Sequence, residues 1–184
     1  MPRLAASFMS EEDFFDFIRT RDERWELIGG VAVIAACASQ RHRDAAANTL
    51  TSLHTQLRGK RCRPTAAGTG VFISPGTVRY PDVVVDCGRR EDHAMLATEP
   101  TVVIDVFSPS TRDFDSHRKV LDYKSSEQIA SILLIDTMSA CVLLHRRHAK
   151  GWSEKMYDAL DDVIDLPKIG ARLVLSDIYY GLEF

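Results

Sequence analysis

No stretch of this 184-residue chain approaches the roughly 20 consecutive apolar residues that cross a bilayer. Its opening, Met-Pro-Arg-Leu-Ala-Ala-Ser-Phe, lacks a continuous apolar segment of signal-peptide length. Both absences point to a soluble, cytoplasmic protein. No Cys-x-x-Cys pair occurs among Cys37, Cys62, Cys87 and Cys141, so zinc ligation is not expected and buried, reduced thiols are. The pair in His145-Arg-Arg-His148 reads as an exposed strand and turn. An excess of positive charge is also missing. A formal net charge of -3 excludes a surface built mainly for non-specific phosphate neutralisation, though not nucleic acid as a substrate. With no internal repeat, low-complexity tract or long linker, a single compact domain over 1–184 is expected.

What the chain does have is concentrated between Arg79 and Tyr123. There it reads Arg79-Tyr-Pro-Asp82-Val-Val-Val-Asp86, then Pro100-Thr-Val-Val-Ile-Asp105-Val-Phe107, then Asp115-Ser-His-Arg-Lys119-Val-Leu-Asp-Tyr123. The first two runs are short, rich in β-branched residues and bounded by Pro or Gly, which predicts strands of a buried sheet. Burying a carboxylate costs several kcal/mol unless cations or hydrogen-bond donors compensate. A divalent metal is one compensation, because carboxylates from neighbouring strands, a backbone carbonyl and water are the hard-oxygen set that Mg²⁺ or Mn²⁺ takes. Capping of backbone amides, or pairing with an Arg, is the other. Asp82, Asp105 and Lys119 together favour the metal.

Elsewhere the patterning is ordinary. Ser10 followed by Glu11, Glu12 and Asp13 predicts the start of a short amphipathic helix carrying Phe14, Phe15 and Phe17. Trp25 to Ala36 predicts a β-hairpin turning at Gly29-Gly30; Glu26 within it reads, alone, as an exposed strand glutamate. Ala46, Leu50, Leu53 and Leu57 recur at helical spacing, predicting a long helix from Gln40 to Arg58 with His42 in its first turn, a surface histidine by default and a substrate or partner contact as the alternative. Two more strands are expected near Arg61–Thr65 and Gly70–Ser74, and a polar loop from Cys87 to Glu99. Ser110 or Thr111 is expected to cap a helix bearing Phe114, with Asp115, Lys119 and Tyr123 along one face. Strands follow over Ser131–Asp136, Ala140–His145 and Trp152–Tyr157, then a mixed tail with a short strand and helical turn around Leu173. Basic clusters at Arg58, Lys60, Arg61 and Arg63, and at Arg112, Arg118 and Lys124, could hold a phosphate backbone or simply be solvated.

Taken in order, Trp-Glu26-Leu-Ile-Gly-Gly, Pro81-Asp82-Val-Val-Val, Val-Val-Ile-Asp105-Val-Phe-Ser-Pro-Ser-Thr, Asp115-x-x-x-Lys119-x-x-x-Tyr123 and Ile-Leu-Leu-Ile-Asp136 resemble the Uma2 family of restriction-endonuclease-like proteins. The resemblance implies an α/β fold with a PD-(D/E)xK nuclease-like core, a central mixed β-sheet flanked by helices with an N-terminal hairpin. It implies Glu26, Asp82 and Asp105 as the acids and Lys119 as the lysine. Asp82, Asp105, the Val106 carbonyl and, in the outer shell, Glu26 would hold Mg²⁺ or Mn²⁺. Two departures stand out: Asp105 replaces the family's more usual glutamate, and Phe107 stands where the standard signature has its lysine. The implied activity is metal-dependent endonuclease cleavage of DNA, by a possible homodimer. A non-catalytic nucleic-acid-binding or protein-interaction module keeping the fold is the alternative.

Overall fold

The computed structural model describes residues 8–35, 38–66, 68–107 and 115–184. The expectations for Cys37, Ser110, Thr111, Arg112, Phe114 and the Asp115 side chain lie outside those residues. Ser10 starts α1 (Glu11–Ile18) as expected: its hydroxyl accepts from the Asp13 N–H while the Asp13 carboxylate accepts from the Ser10 N–H, a reciprocal cap. The helix buries Phe14 against Leu27, Val78 and Tyr80. β1 (Trp25–Ile28) and β2 (Val31–Ile34) form the hairpin, with Gly29 and Gly30 at φ 57° and 78°, angles that a two-residue turn demands. α2 (Gln40–Leu57) is capped by the Ser39 hydroxyl and buries Ala45, Thr49, Leu53 and Leu57.

Five strands follow. β3 (Arg63–Ala66), β4 (Val71–Ser74), β5 (Thr77–Arg79), β6 (Val83–Asp86) and β7 (Pro100–Phe107) precede α3 (Asp115–Ser125). β8 (Ser131–Asp136), β9 (Cys141–His148), β10 (Gly151–Tyr157), β11 (Val163–Leu166), β12 (Ala171–Val174) and α4 (Leu175–Ile178) complete the described chain. The sequence had joined Arg79 to the Val83–Asp86 run. Instead Pro81, which has no N–H for a ladder, separates β5 in a four-stranded sheet (order β2, β1, β5, β4) from β6 in the main one.

The main sheet has six strands in the order β10, β9, β8, β7, β6, β3. β7 and β8 are parallel and connected through α3, while every other neighbouring pair is antiparallel. This is the mixed sheet flanked by helices that the resemblance implies. Alternation along the strands fills both faces. Val83, Val85, Val102, Ile104, Val106, Leu133 and Ile135 pack towards α2, the β11–β12 hairpin and α4. Val84, Val103 and Ile132 pack towards Val120 and Tyr123 of α3. Asp105, two residues after Val103, therefore points to the α3 side, where Lys119 can reach it.

Three expectations are corrected. Cys62 and Cys87 are not free thiols: their sulfurs are bonded at 2.04 Å. Arg63 faces Asp86 in the β3–β6 register, so the residues just beyond that pair are brought side by side. Cys141, on β9, lies outside that bridge. His145 is not exposed but 4% accessible, because β9 lies inside the sheet. Glu26, read alone as an exposed strand glutamate, is also 4% accessible, since β1 is covered by Arg79, Tyr80 and α3.

Candidate active site

Four carboxylates, those of Glu26, Asp82, Asp105 and Asp122, meet where β1, β6, β7 and α3 converge. Arg79 organises one half of this cluster. Its side chain has no solvent exposure, and its guanidinium reaches Glu26 Oε2 at 2.7 Å and Asp122 Oδ2 at 2.6 Å. Glu26 Oε1 takes the Tyr80 N–H at 3.1 Å and the Lys119 ammonium at 3.0 Å. Every oxygen of Glu26 is thus held, and what it holds in turn is Lys119. Burial alone would push the Glu26 carboxyl up, but Lys119 and Arg79 outweigh it and leave it below the ordinary value.

Lys119 extends from Glu26 to Asp105, with Nζ 3.5 Å from Asp105 Oδ1. Burial opposes the lysine's charge, yet Asp105 and Glu26 hold it firmly protonated. Asp105 is the under-compensated member. It is 3% exposed, and its Oδ2 has no hydrogen bond of good geometry, the buried Tyr123 hydroxyl being the one donor that lies beside this carboxylate. Its pKa is pushed up to about 6, first by burial and then by the neighbouring Asp82 and Glu26 charges, with Lys119 pulling the other way. Tyr123, wholly buried one helical turn beyond Lys119, lies against it; burial and Asp105 raise that phenol as well.

Asp82 is compensated differently. Its Oδ2 accepts the Val106 N–H at 2.9 Å, and its Oδ1 meets His42 Nε2 at 3.0 Å and Arg24 Nη1 at 3.1 Å. Burial raises this carboxyl, but the His42 contact, the Val106 N–H and Arg24 bring it below the ordinary value. The antiparallel register sets Val83 against Ile104, and Pro81, just before β6, has no N–H to offer a neighbouring strand. A cleft of about 540 Å³ opens on this side, lined by Asp82, His42, Arg24, Arg43, Ala46 and Leu50 among others.

The structure thus brings Glu26, Asp82, Asp105, Val106 and Lys119 together. Sequence reading missed Arg79, Asp122, Arg24 and His42. Arg79 and Asp122 stand inside the stretch already singled out, and two acids beside a buried strand were a signal that a second cation was needed. For His42, placed on the helix surface by periodicity, no sequence signal pointed to Asp82.

As a metal centre the donor chemistry is hard oxygen, and an unspent buried oxygen on Asp105 is what a cation would satisfy. Four carboxylates also outnumber the permanent cations Arg24, Arg79 and Lys119 that neutralise them. Among the described residues, however, no three or more His, Cys, Asp or Glu side chains form a metal-binding group. The oxygen groups nearest one another are those of Asp105 and Asp82, both Asp82 oxygens being engaged by the Val106 N–H, His42 and Arg24, with Glu26 behind Lys119.

Comparison with known proteins agrees with this architecture. A family model described as "Uma2: Putative restriction endonuclease" matches residues 11–176. An uncharacterized protein of Synechocystis sp. is 25% identical over 179 residues, covering 96% of this chain and 94% of that protein. A crystal structure from Anabaena variabilis, titled as a putative nuclease belonging to DUF820, superposes with a TM-score of 0.78 at 16% identity, covering 95% of this chain and 99% of that one; it shares the fold. A family match that spans residues 11–176, nearly all of the chain, establishes that the protein belongs to the Uma2 family.

Proposed function

We propose that this chain is a divalent-metal-dependent endonuclease that hydrolyses phosphodiester bonds of DNA at Asp82, Asp105 and Lys119. The observation that carries this reading is the buried Asp105 carboxylate, one oxygen unspent, placed between a lysine and a second strand acid. Fold stability alone does not favour such a group. Mg²⁺ or Mn²⁺ bound by Asp82, Asp105 and the Val106 carbonyl would polarise the phosphate and lower the pKa of a bound water.

The chain's own residues do the rest. Lys119, kept charged by Glu26, presents an ammonium to the developing negative charge or to the attacking water. Arg79 fixes Glu26, and through it the direction of Lys119. Arg24, Arg43 and His42 border the cleft through which a phosphate backbone would approach Asp82. Breaking both strands of a duplex needs two such sites, which a homodimer of this domain would supply. The proposed setting is the cytoplasm; the Cys62–Cys87 bridge is the feature at odds with it, since reducing compartments disfavour disulfides.

The test is conversion of supercoiled plasmid to nicked and linear forms with Mg²⁺ or Mn²⁺. Cleavage by the wild type should fall at least about 100-fold in Asp105→Asn and in Lys119→Met, the scale expected when a metal ligand or charge stabiliser is lost. Equal cleavage by all three proteins would remove the proposal. The second reading, a non-catalytic module, is favoured by one observation: Asp82 already has both oxygens engaged by His42, Arg24 and the Val106 N–H. It expects DNA or protein binding with no turnover in any metal.

A further inference from the structure

At the end of β6 away from Asp82, a cleft of about 700 Å³ opens with the Cys62–Cys87 bridge in its wall. The two halves of the bridge differ. Cys87 is 4% exposed and belongs to the core beneath α2, whereas Cys62, just before β3, is partly exposed. Cys62 is therefore the half that a molecule entering the cleft meets.

The wall around the bridge is cationic. Lys60, Arg61, Arg147 and Lys168 stand against two carboxylates, Glu99 and Glu127. Arg61 pairs with Glu99 at 2.6 Å. Lys60, however, donates to the Gly170 carbonyl, and Arg147 to the carbonyls of Lys124, Ser126 and Ile129. Bonds to neutral oxygens leave both charges uncancelled. Arg61 also reaches the Cys87 carbonyl through Nε at 2.6 Å, which keeps a guanidinium beside the buried half of the bridge. Cations near a sulfur favour its thiolate, the form in which a cysteine attacks or leaves in disulfide exchange.

We propose that this cleft admits an anionic thiol, which exchanges with the bridge at Cys62. The electron pair of the incoming thiolate forms a bond to Cys62 Sγ, the Cys62–Cys87 bond breaks, and Cys87 leaves with its electron pair as a thiolate near Arg61. A second thiolate attacks the sulfur of the first, forming a disulfide between the two and releasing Cys62 as a thiolate. Two thiols are oxidised and one bridge is reduced. The exchange unties the α2–β3 connection from the end of β6. It takes place at the opposite end of that strand from Asp82, so the proposal stands whether or not the protein cleaves DNA.

The test treats the full, oxidised chain at low salt with 3-mercaptopropionate, 2-mercaptoethanol and cysteamine, which are anionic, neutral and cationic. Each rate is taken per thiolate and relative to the same thiol's rate on bis(2-hydroxyethyl) disulfide. Expected is fastest reduction by 3-mercaptopropionate and slowest by cysteamine, about tenfold apart, with the gap closing as salt rises. Adducts trapped by acid should map to Cys62. In Lys60→Glu/Lys168→Glu the order should reverse. Equal rates, fastest reduction by cysteamine, adducts on Cys87, or reaction only in urea would each overturn the assignment; the wild-type comparison decides even if the variant does not fold.

Discussion

The two ends of β6 carry acids in nearly the same sequence setting and treat them in opposite ways. At one end, Asp86 closes the run Val-Val-Val-Asp and is surrounded by donors: the N–H groups of Gly88 and Glu99 at 2.8 Å, that of Thr98 at 3.2 Å, and Arg63 at 2.7 Å. Burial is outweighed and the carboxyl sits below its ordinary value. The Cys62–Cys87 bridge ties the same end. At the other end, Asp82 is held by Arg24, His42 and the Val106 N–H, while Asp105 beside it has Lys119 at 3.5 Å and an Oδ2 with no hydrogen bond of good geometry. Asp86 caps its loop; Asp105 keeps a buried oxygen with no hydrogen bond of good geometry. The lesson is that an acid at a strand end becomes a candidate site through what fails to satisfy it, not through its burial.

The contrast can be broken from either end. The largest effect is expected at Arg79, a guanidinium with no solvent exposure that pairs with both Glu26 and Asp122. Arg79→Met should cost about 3–5 kcal/mol in urea unfolding, since breaking a buried pair leaves an unpaired charge behind. A loss below about 1 kcal/mol would mean that Glu26 and Asp122 find other partners.

Next is pH. Asp105 is raised in the fold to about 6, so in the metal-free protein its contribution is fully present below the unfolded carboxyl pKa of about 4 and is lost as pH rises through about 6. The loss is on the order of 2–3 kcal/mol for a shift of roughly two units. Asp105→Asn should flatten the fall in stability across that window. Asp86 has the opposite sign: its stabilisation is present above the unfolded pKa and disappears as pH falls. Unfolding measured from pH 3 to pH 8 in Asp105→Asn and Asp86→Ala separates the two ends, and identical profiles would erase the distinction. The smallest effect, about 2 kcal/mol, is expected for Asp86→Ala at pH 7, which strips the Gly88, Thr98 and Glu99 N–H groups of their acceptor; plasmid cleavage per folded molecule should not change.

Much of this was legible beforehand. The Ser10 cap, the Gly29-Gly30 hairpin, α2 and β7 to β10 follow from local rules of capping, turn chemistry and periodicity. Asp82, Asp105 and Lys119 were legible because charge inside a β-branched run demands an explanation. What escaped depends on packing between distant segments. Glu26 looks exposed within its own hairpin and is buried only when Arg79 and α3 arrive. His42 meets Asp82 only because α2 lies across the end of β6. The Cys62–Cys87 bridge depends on the β3–β6 register, which no local pattern announces. Asp86 and Asp105 could not be told apart from sequence, since the donors that satisfy Asp86 come from a loop a dozen residues away.

The most direct test of the account is Mn²⁺ binding, followed by electron paramagnetic resonance, in the wild type, Asp105→Ala and Asp86→Ala, each with and without a phosphorothioate duplex that resists cleavage. A site present in the wild type and in Asp86→Ala but lost in Asp105→Ala is the expected result. Binding that ignores Asp105, or none under either condition, would contradict the claim that the open end of the sheet is a metal-dependent active site.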